Sequence, residues 1–325
     1  MDNIINLLNA AVAAGTPLLL GTLGEILTEK SGNLNLGVEG MMFMGAVSGL
    51  AGGLAAEQWL GGAGVMAAVG ALLISFLAGA LGALIYSFLT ITLRANQNVT
   101  GLTLTIFGTG FGNFFGEILG QRSATGFAQV TQGTQAMFQP IHFGALSDIP
   151  ILGKLLFSYN WIVYFSVALA ILMAWFFKKS RTGLNLRAVG EDPATADAAG
   201  INVTRYKYLA TIVGGGICGI GGMYMSMVTT SGVWVHGCVS GYGWLAVALV
   251  IFATWRPFRG MIVALIFGGL TIMRMYVSIP GLPAQIYDML PYAATILVLV
   301  VTSMRSSREH AQPKSCGLNY FREER

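Results

Sequence analysis

Apolar stretches about as long as a bilayer crossing recur along this chain, and no other feature narrows its fold as far. A helix needs about 20 apolar residues to cross the hydrocarbon core. Nine segments read as crossings, at about 7–27, 36–54, 64–93, 99–120, 158–177, 208–229, 236–255, 261–279 and 287–303. The third is long enough to tilt or protrude. Of the 325 residues, 54% are hydrophobic and 10% charged, whereas soluble domains carry about 25% charged residues. The expected fold is an all-α membrane protein, a polytopic bundle of about nine (8–10) transmembrane helices. Met1 to Asn9 carry Asp2 and no basic residue. A secretory signal has a positive leading region, so the first apolar stretch is expected to remain as a span. Cys218, Cys238 and Cys316 stand far apart with no CxxC pair, which indicates neither a disulfide framework nor a zinc site.

Lysine and arginine positions orient the bundle. Placing Lys178, Lys179 and Arg181 in the cytoplasm puts Lys30, Arg94, Arg187, Arg205, Lys207, Arg256, Arg259 and the tail from Arg305 there too. Arg122 and Lys154 alone fall outside, and Arg274 lies within a span. That bias follows the positive-inside rule, with the N-terminus outside and the C-terminus in the cytoplasm of a cell-membrane protein. It also accounts for the net charge of +4 without a nucleic-acid partner. The mixed-polarity segment Gln121 to Tyr159 reads as an ordered outer loop with a short interfacial helix.

Many of the 44 glycines sit inside apolar segments, among them Gly79, Gly82, Gly214, Gly215, Gly216, Gly219, Gly221 and Gly222. Small residues let helix backbones approach closely where no hydrophobic effect holds helices together. The two halves, about 1–120 and 208–304, look related by inversion. The first helix ends at a Gly/Asn-rich break, Ser31 to Gly37, and the sixth is followed by a break from Val235 to Gly241. Interrupted helices in matching positions of inverted repeats are the sequence sign of a transporter, with its pathway beside the breaks. The membrane domain then covers 1–304, with a connecting helix at 158–177, a cytoplasmic loop at 178–207 and a tail at 305–325.

Polar residues at the breaks and spans are weighed individually. Asn35 in the first break, Asn98 at the opening of the fourth helix, and His236 in the second break are candidates to line a path for a hydroxyl-rich solute. The plainer alternative is that they satisfy backbone groups freed by the breaks. Glu39 opens the second helix, where the macrodipole also favours a carboxylate as a cap. Arg274 and Asp288 face each other across the last hairpin and are expected within salt-bridge reach, either as a structural ion pair or, through Arg274, as a solute contact. Glu117 has Arg122 five residues on and is expected at the outer interface. The pattern Gly214-x-Gly216-x-x-Gly219 fits a dinucleotide fingerprint but lies inside an apolar span, so it carries no such function. Asn98-Val-Thr100 and Asn202-Val-Thr204 fit the glycosylation pattern but face the cytoplasm in this topology. In the cytoplasmic loop, Asp192 is placed as an N-cap with Pro193 in the first helical position and Gly200 as the stop.

Two motifs carry a resemblance. Glu29-Lys30-Ser31-Gly32-Asn33-Leu34-Asn35-Leu36-Gly37-Val38-Glu39-Gly40-Met41-Met42 resembles a stretch in permeases of bacterial ABC importers for nucleosides and simple sugars. That family also includes ribose and branched-chain amino-acid permeases. Arg187 to Pro193, continuing through Ala199-Gly200-Ile201, is similar to the family's coupling loop, which contacts the ATPase subunit. The resemblance runs from about Pro17 to Ser303. It implies coupling roles for Arg187, Glu191, Asp192, Pro193, Ala196 and Gly200. It also implies three kinds of partner: an ABC ATPase, a second permease (identical or homologous) and a solute-binding protein or lipoprotein. Ribose-type members are usually described with ten helices. Either an N-terminal helix is absent here or the third segment hides two.

No GxxxxGK[ST] occurs, so the chain is expected to be a transport subunit and no enzyme, with ATP and Mg held by the partner ATPase. The alternatives are a permease for ribose-type sugars or branched-chain amino acids, or a stand-alone secondary transporter. The last would need ion-coupling carboxylates near the midplane. A membrane enzyme would need a polar cluster that the histidines at 142, 236 and 310 do not suggest. The topology is checked by cysteine accessibility. Cysteines placed at Arg94, Lys178 and Arg259 should label only from the cytoplasm, and labelling of the 121–159 loop from that side would overturn the arrangement.

Overall fold

A computed structural model describes residues 2–59, 64–123, 126–144, 147, 149, 151–277, 283–304 and 312–322. Each apolar segment named above falls on a helix. These are α1 (Asp2–Glu29), α2 (Val38–Trp59), α3 (Val65–Ser87, prolonged by a π-helical turn at Phe88–Thr92) and α4 (Gln97–Gln121). The short α5 (Gln132–Met137) and α6 (Leu152–Leu156) lie in the loop before α7 (Trp161–Lys179). Then follow α8 (Arg181–Glu191), α9 (Pro193–Ala198), α10 (Val203–Tyr224, with a π-helical end at Met225–Thr229), α11 (Tyr242–Phe252), α12 (Pro257–Tyr276) and α13 (Ala284–Met304). Among the described residues, six helices are long and apolar enough to cross a membrane, and the apolar stretches of α11 and α13 are shorter. The third segment is one continuous helix, not two. The 178–207 loop is more helical than its sequence suggested, because Ser180 caps α8 by accepting from Gly183 N at 2.9 Å.

α2 and α10 form the centre, buried on nearly every side, and cross each other and α3. These crossings are made by glycine. A Cβ on Gly45 would strike the Gly219 backbone, one on Gly79 the Gly215 carbonyl, and one on Gly40 the Leu104 carbonyl of α4. The same device joins α1 to α12, where Gly268 meets Ala11 and Gly15. The packing is crossed, with α1 lying on α12 and α10 on α3. Outward, α3, α4, α7, α12 and α13 expose Leu77, Ile106, Leu172, Ile266 and Ile296, an apolar belt suited to hydrocarbon as solvent.

The basic residues gather at one end. Lys30 lies within electrostatic reach of Arg187 and Arg256, and burial first, then Arg187, pushes its ammonium below the usual lysine range. At the other end, the loop before α7 pins itself to the turn after α10 and to the end of α2. Gln129 and Val233 form an isolated antiparallel bridge, and Thr131 donates its hydroxyl to Glu57 at 2.6 Å.

Gly219 is the tightest test of this packing, being shared by α2, α3 and α10. Replacing it with valine should cost roughly 1–3 kcal/mol or more through overpacking. The thermal unfolding midpoint of the purified protein should fall by several degrees, and an unchanged midpoint would refute the close crossing.

Candidate coupling surface and solute pathway

The first break turns back into the bundle, so its backbone needs partners other than water. Asn35 N donates to Glu25 Oε1 at 3.0 Å and Leu34 N to Gln97 Oε1 at 2.7 Å. The Tyr86 hydroxyl donates to Leu34 O at 2.5 Å and the Thr105 hydroxyl to Leu36 O at 2.8 Å. Asn35 turns its own carbonyl onto Gly37 N at 2.9 Å. Three helices thus contribute side chains that hold one loop. Glu25 and Glu29 are both buried, and Glu29 accepts from the Trp255 indole beyond α11.

This loop lifts the start of α2 into the bundle, where it meets α11. Glu39 lies beside the N-terminus of α11, accepting from Gly241 N at 3.0 Å and from Trp244 N at 3.2 Å. Its carboxylate therefore caps a helix in the other half of the chain. α11 has 11 residues, about 16 Å at 1.5 Å per residue, roughly half of a 30 Å hydrocarbon core. The expected seventh crossing at 236–255 is thus irregular in its first half and helical only in its second. Two helix N-termini meet inside the bundle at Glu39, the arrangement associated with transport sites.

The other pathway candidates do not converge there. Asn98 is exposed, and its neighbour Gln97 is the residue that turns inward, 3% exposed, to the first break. His236 Nδ1 lies 3.1 Å from Glu117 Oε1, both exposed. Glu117 is therefore held at the far end of α4 by the second break and not by Arg122. Arg274 Nη1 lies 3.1 Å from Asp288 Oδ2, also exposed, joining α12 to α13. Asn35 spends its polar atoms on Gly37 N and Met41 Sδ, and Glu39 spends its own on backbone N–H groups.

The residues expected to couple form a compact unit at the basic end. Asp192 Oδ1 accepts from Ala194 N and Thr195 N, both at 3.1 Å, and Oδ2 from the Thr195 hydroxyl at 2.6 Å. Those Thr195 bonds hold its carboxyl below the usual range. Pro193 occupies the first turn of α9, and Gly200 closes it with φ +84°. Ala196 is buried against Val189 and Val203, and its N–H donates to Asp192 O at 3.0 Å. Arg187 and Glu191 stand exposed.

The tail contributes what the sequence did not foretell. Residues 312–322 lie as a strap across the basic end. Ser315 donates N–H and hydroxyl to Gly190 O, at 3.0 and 2.5 Å. The Tyr320 hydroxyl donates to Asp197 Oδ2 at 2.8 Å, and Arg322 Nε lies 3.2 Å from the same oxygen. Asn319 donates to Arg94 O at 2.6 Å, and Arg94 stacks over Phe321. The strap therefore ties α8 and α9 to the α3–α4 turn. The expected tail at 305–311 and 323–325 lies outside the described residues.

The chain is similar over nearly its whole length to transport proteins. It is 39% identical to a putative glucose ABC transporter permease protein of Haloferax volcanii, covering 99% of both chains. It is 33% identical to a guanosine ABC transporter permease protein of Bacillus subtilis, covering 99% of this chain and 100% of that one. It is 30% identical to a nucleoside ABC transporter permease protein of Lactococcus lactis, covering 98% and 99%. No solved structure matches. A family model described as branched-chain amino acid transport system / permease component matches residues 6–299. With buried breaks, glycine-crossed helices and this match across the membrane domain, the chain belongs to that permease family.

Proposed function

We propose that this chain is the membrane-spanning subunit of an ATP-driven importer for nucleosides or related simple sugars, with its basic end in the cytoplasm. The observation that carries the coupling role is α9, a one-and-a-half-turn element capped by Asp192, stopped by Gly200 and anchored by Ala196. Force transmission needs a rigid element, and this one is fixed at both ends on the face where basic residues gather. ATP hydrolysis then belongs to a partner ATPase that docks there, and a solute-binding protein delivers solute to the opposite end. The relatives named for guanosine, nucleosides and glucose support a hydroxyl-rich solute. The crossed packing of α1 on α12 and α10 on α3 supports two inverted halves, which alternating access requires to rock against each other.

The solute class is tested by uptake into vesicles holding this chain with its ATPase, second permease and binding protein. Guanosine or uridine should be taken up and compete with each other, and uptake of leucine alone would overturn the solute class.

Ala196→Pro tests the coupling. It removes the bond to Asp192 O and should cost roughly 3 kcal/mol within α9, leaving the spans inserted. The expected protein is correctly inserted yet fails to stimulate its ATPase, whereas wild-type stimulation would place coupling elsewhere.

Glu39→Ala leaves Gly241 N and Trp244 N without an acceptor, at about 1–3 kcal/mol for each. Thermal stability should drop and uptake with it, and Glu39→Gln should restore part of both. Full uptake in Glu39→Ala would show that α11 needs no such cap.

A further inference from the structure

A cavity of about 830 Å³ opens at the basic end, between the inner ends of α3 and α10, beside the first break and under the strap. Its lining includes Arg94, Arg205, Lys207 and Arg322 against one carboxylate, Asp197. That carboxylate is taken by Tyr320 and Arg322. Lys207 is 3% exposed and, among the described residues, its ammonium has neither a hydrogen bond nor a carboxylate partner, with the Cys316 thiol the group in electrostatic reach. Arg205 likewise has no carboxylate partner among them. Asn33, 1% exposed, donates its amide to Thr211 at 2.9 Å but leaves its Oδ1 without a partner. A buried ammonium without a counter-charge is costly, and an anion with good hydrogen bonds offsets that cost.

We propose that this cavity is a binding site for a phosphorylated small molecule of nucleotide or sugar-phosphate size. Phosphate oxygens accept charge-assisted hydrogen bonds from Lys207 and Arg205. The volume lies within the range of small-molecule pockets, about 300–1,000 Å³. Three elements meet here: the first break, α10 directly after α9, and the strap bound to α8 and α9. A ligand that joins them braces the coupling helices against the bundle and slows transport. The site rests on the proposed orientation, since it draws its ligand from the cytoplasm.

The test is titration calorimetry on the assembled importer in nanodiscs of neutral phosphatidylcholine, with uridine 5′-monophosphate and glucose 6-phosphate as probes. Uridine, glucose and inorganic phosphate serve as controls. At least one phosphate ester should bind, weaken with added salt, and lose roughly tenfold in affinity in Arg205→Gln and Lys207→Met. Uptake by wild-type vesicles should slow with that ester inside and uptake by Arg205→Gln should not. No binding up to on the order of 10 mM overturns the proposal, as does binding unchanged in both variants. Protection of the two cations by phosphatidylglycerol alone, with neither ester binding in neutral discs, assigns them to lipid headgroups and also overturns it. Normal nucleoside uptake in that case leaves the transport function standing. Failure of uptake for every nucleoside and sugar, with ester binding intact, would reject the transport function alone.

Discussion

Everything in this bundle depends on how two helix breaks are satisfied where water is scarce. A chain that leaves its helix inside a membrane exposes N–H and C=O groups that hydrocarbon cannot serve. Here the first break is held by Glu25, Gln97, Tyr86 and Thr105 from three helices and by its own Asn35. The second is held by Glu39 and by Asn113, whose side chain accepts from Gly237 N at 3.1 Å. The two solutions share an element, because Glu39 begins the helix that the first break releases and caps the one that the second break releases. Shifting either break would strand the other.

Glycine makes that sharing possible. The backbones of α2, α3 and α10 approach until no Cβ fits between them, which brings the start of α2 within reach of α11. In hydrocarbon, such close contact draws on dispersion and carbonyl interactions, since burial of apolar surface adds little there. The pattern Gly214-x-Gly216-x-x-Gly219 belongs to this packing, as Gly214 meets Gly24 and Gly219 meets Gly45 and Gly79.

At the basic end, stiffness replaces closeness. α9 is too short to be stable by itself, so its cap, its stop and the burial of Ala196 supply what length does not. The strap extends that stiffness to the α3–α4 turn and the first break. Outward, the His236–Glu117 and Arg274–Asp288 pairs are exposed and contribute little energy in water. They fix loop positions at the far end.

The sequence by itself determined that the chain is a helical membrane protein, where its apolar helices fall, and that Asp192, Pro193 and Gly200 frame a short helix. Each of these is a local property: a run of apolar residues, a charge bias, or a side chain acting on backbone two or three residues away. The same holds for the Arg274–Asp288 pair, whose partners face each other across one hairpin. Tertiary structure alone decided which polar residues serve the breaks. Gln97 and not Asn98 turns inward, because the rotation of α4 is set by its packing on α2 at Gly40 and Gly108. Glu117 pairs with His236 and not with the nearby Arg122 because the second break is folded back onto α4. Glu39 caps α11 across some two hundred residues, and the tail returns from beyond α13 to lie on Gly190 and Asp197. No local spacing encodes contacts of that range, because they exist only once the helices are packed and their freed backbone groups have to find donors and acceptors inside the protein.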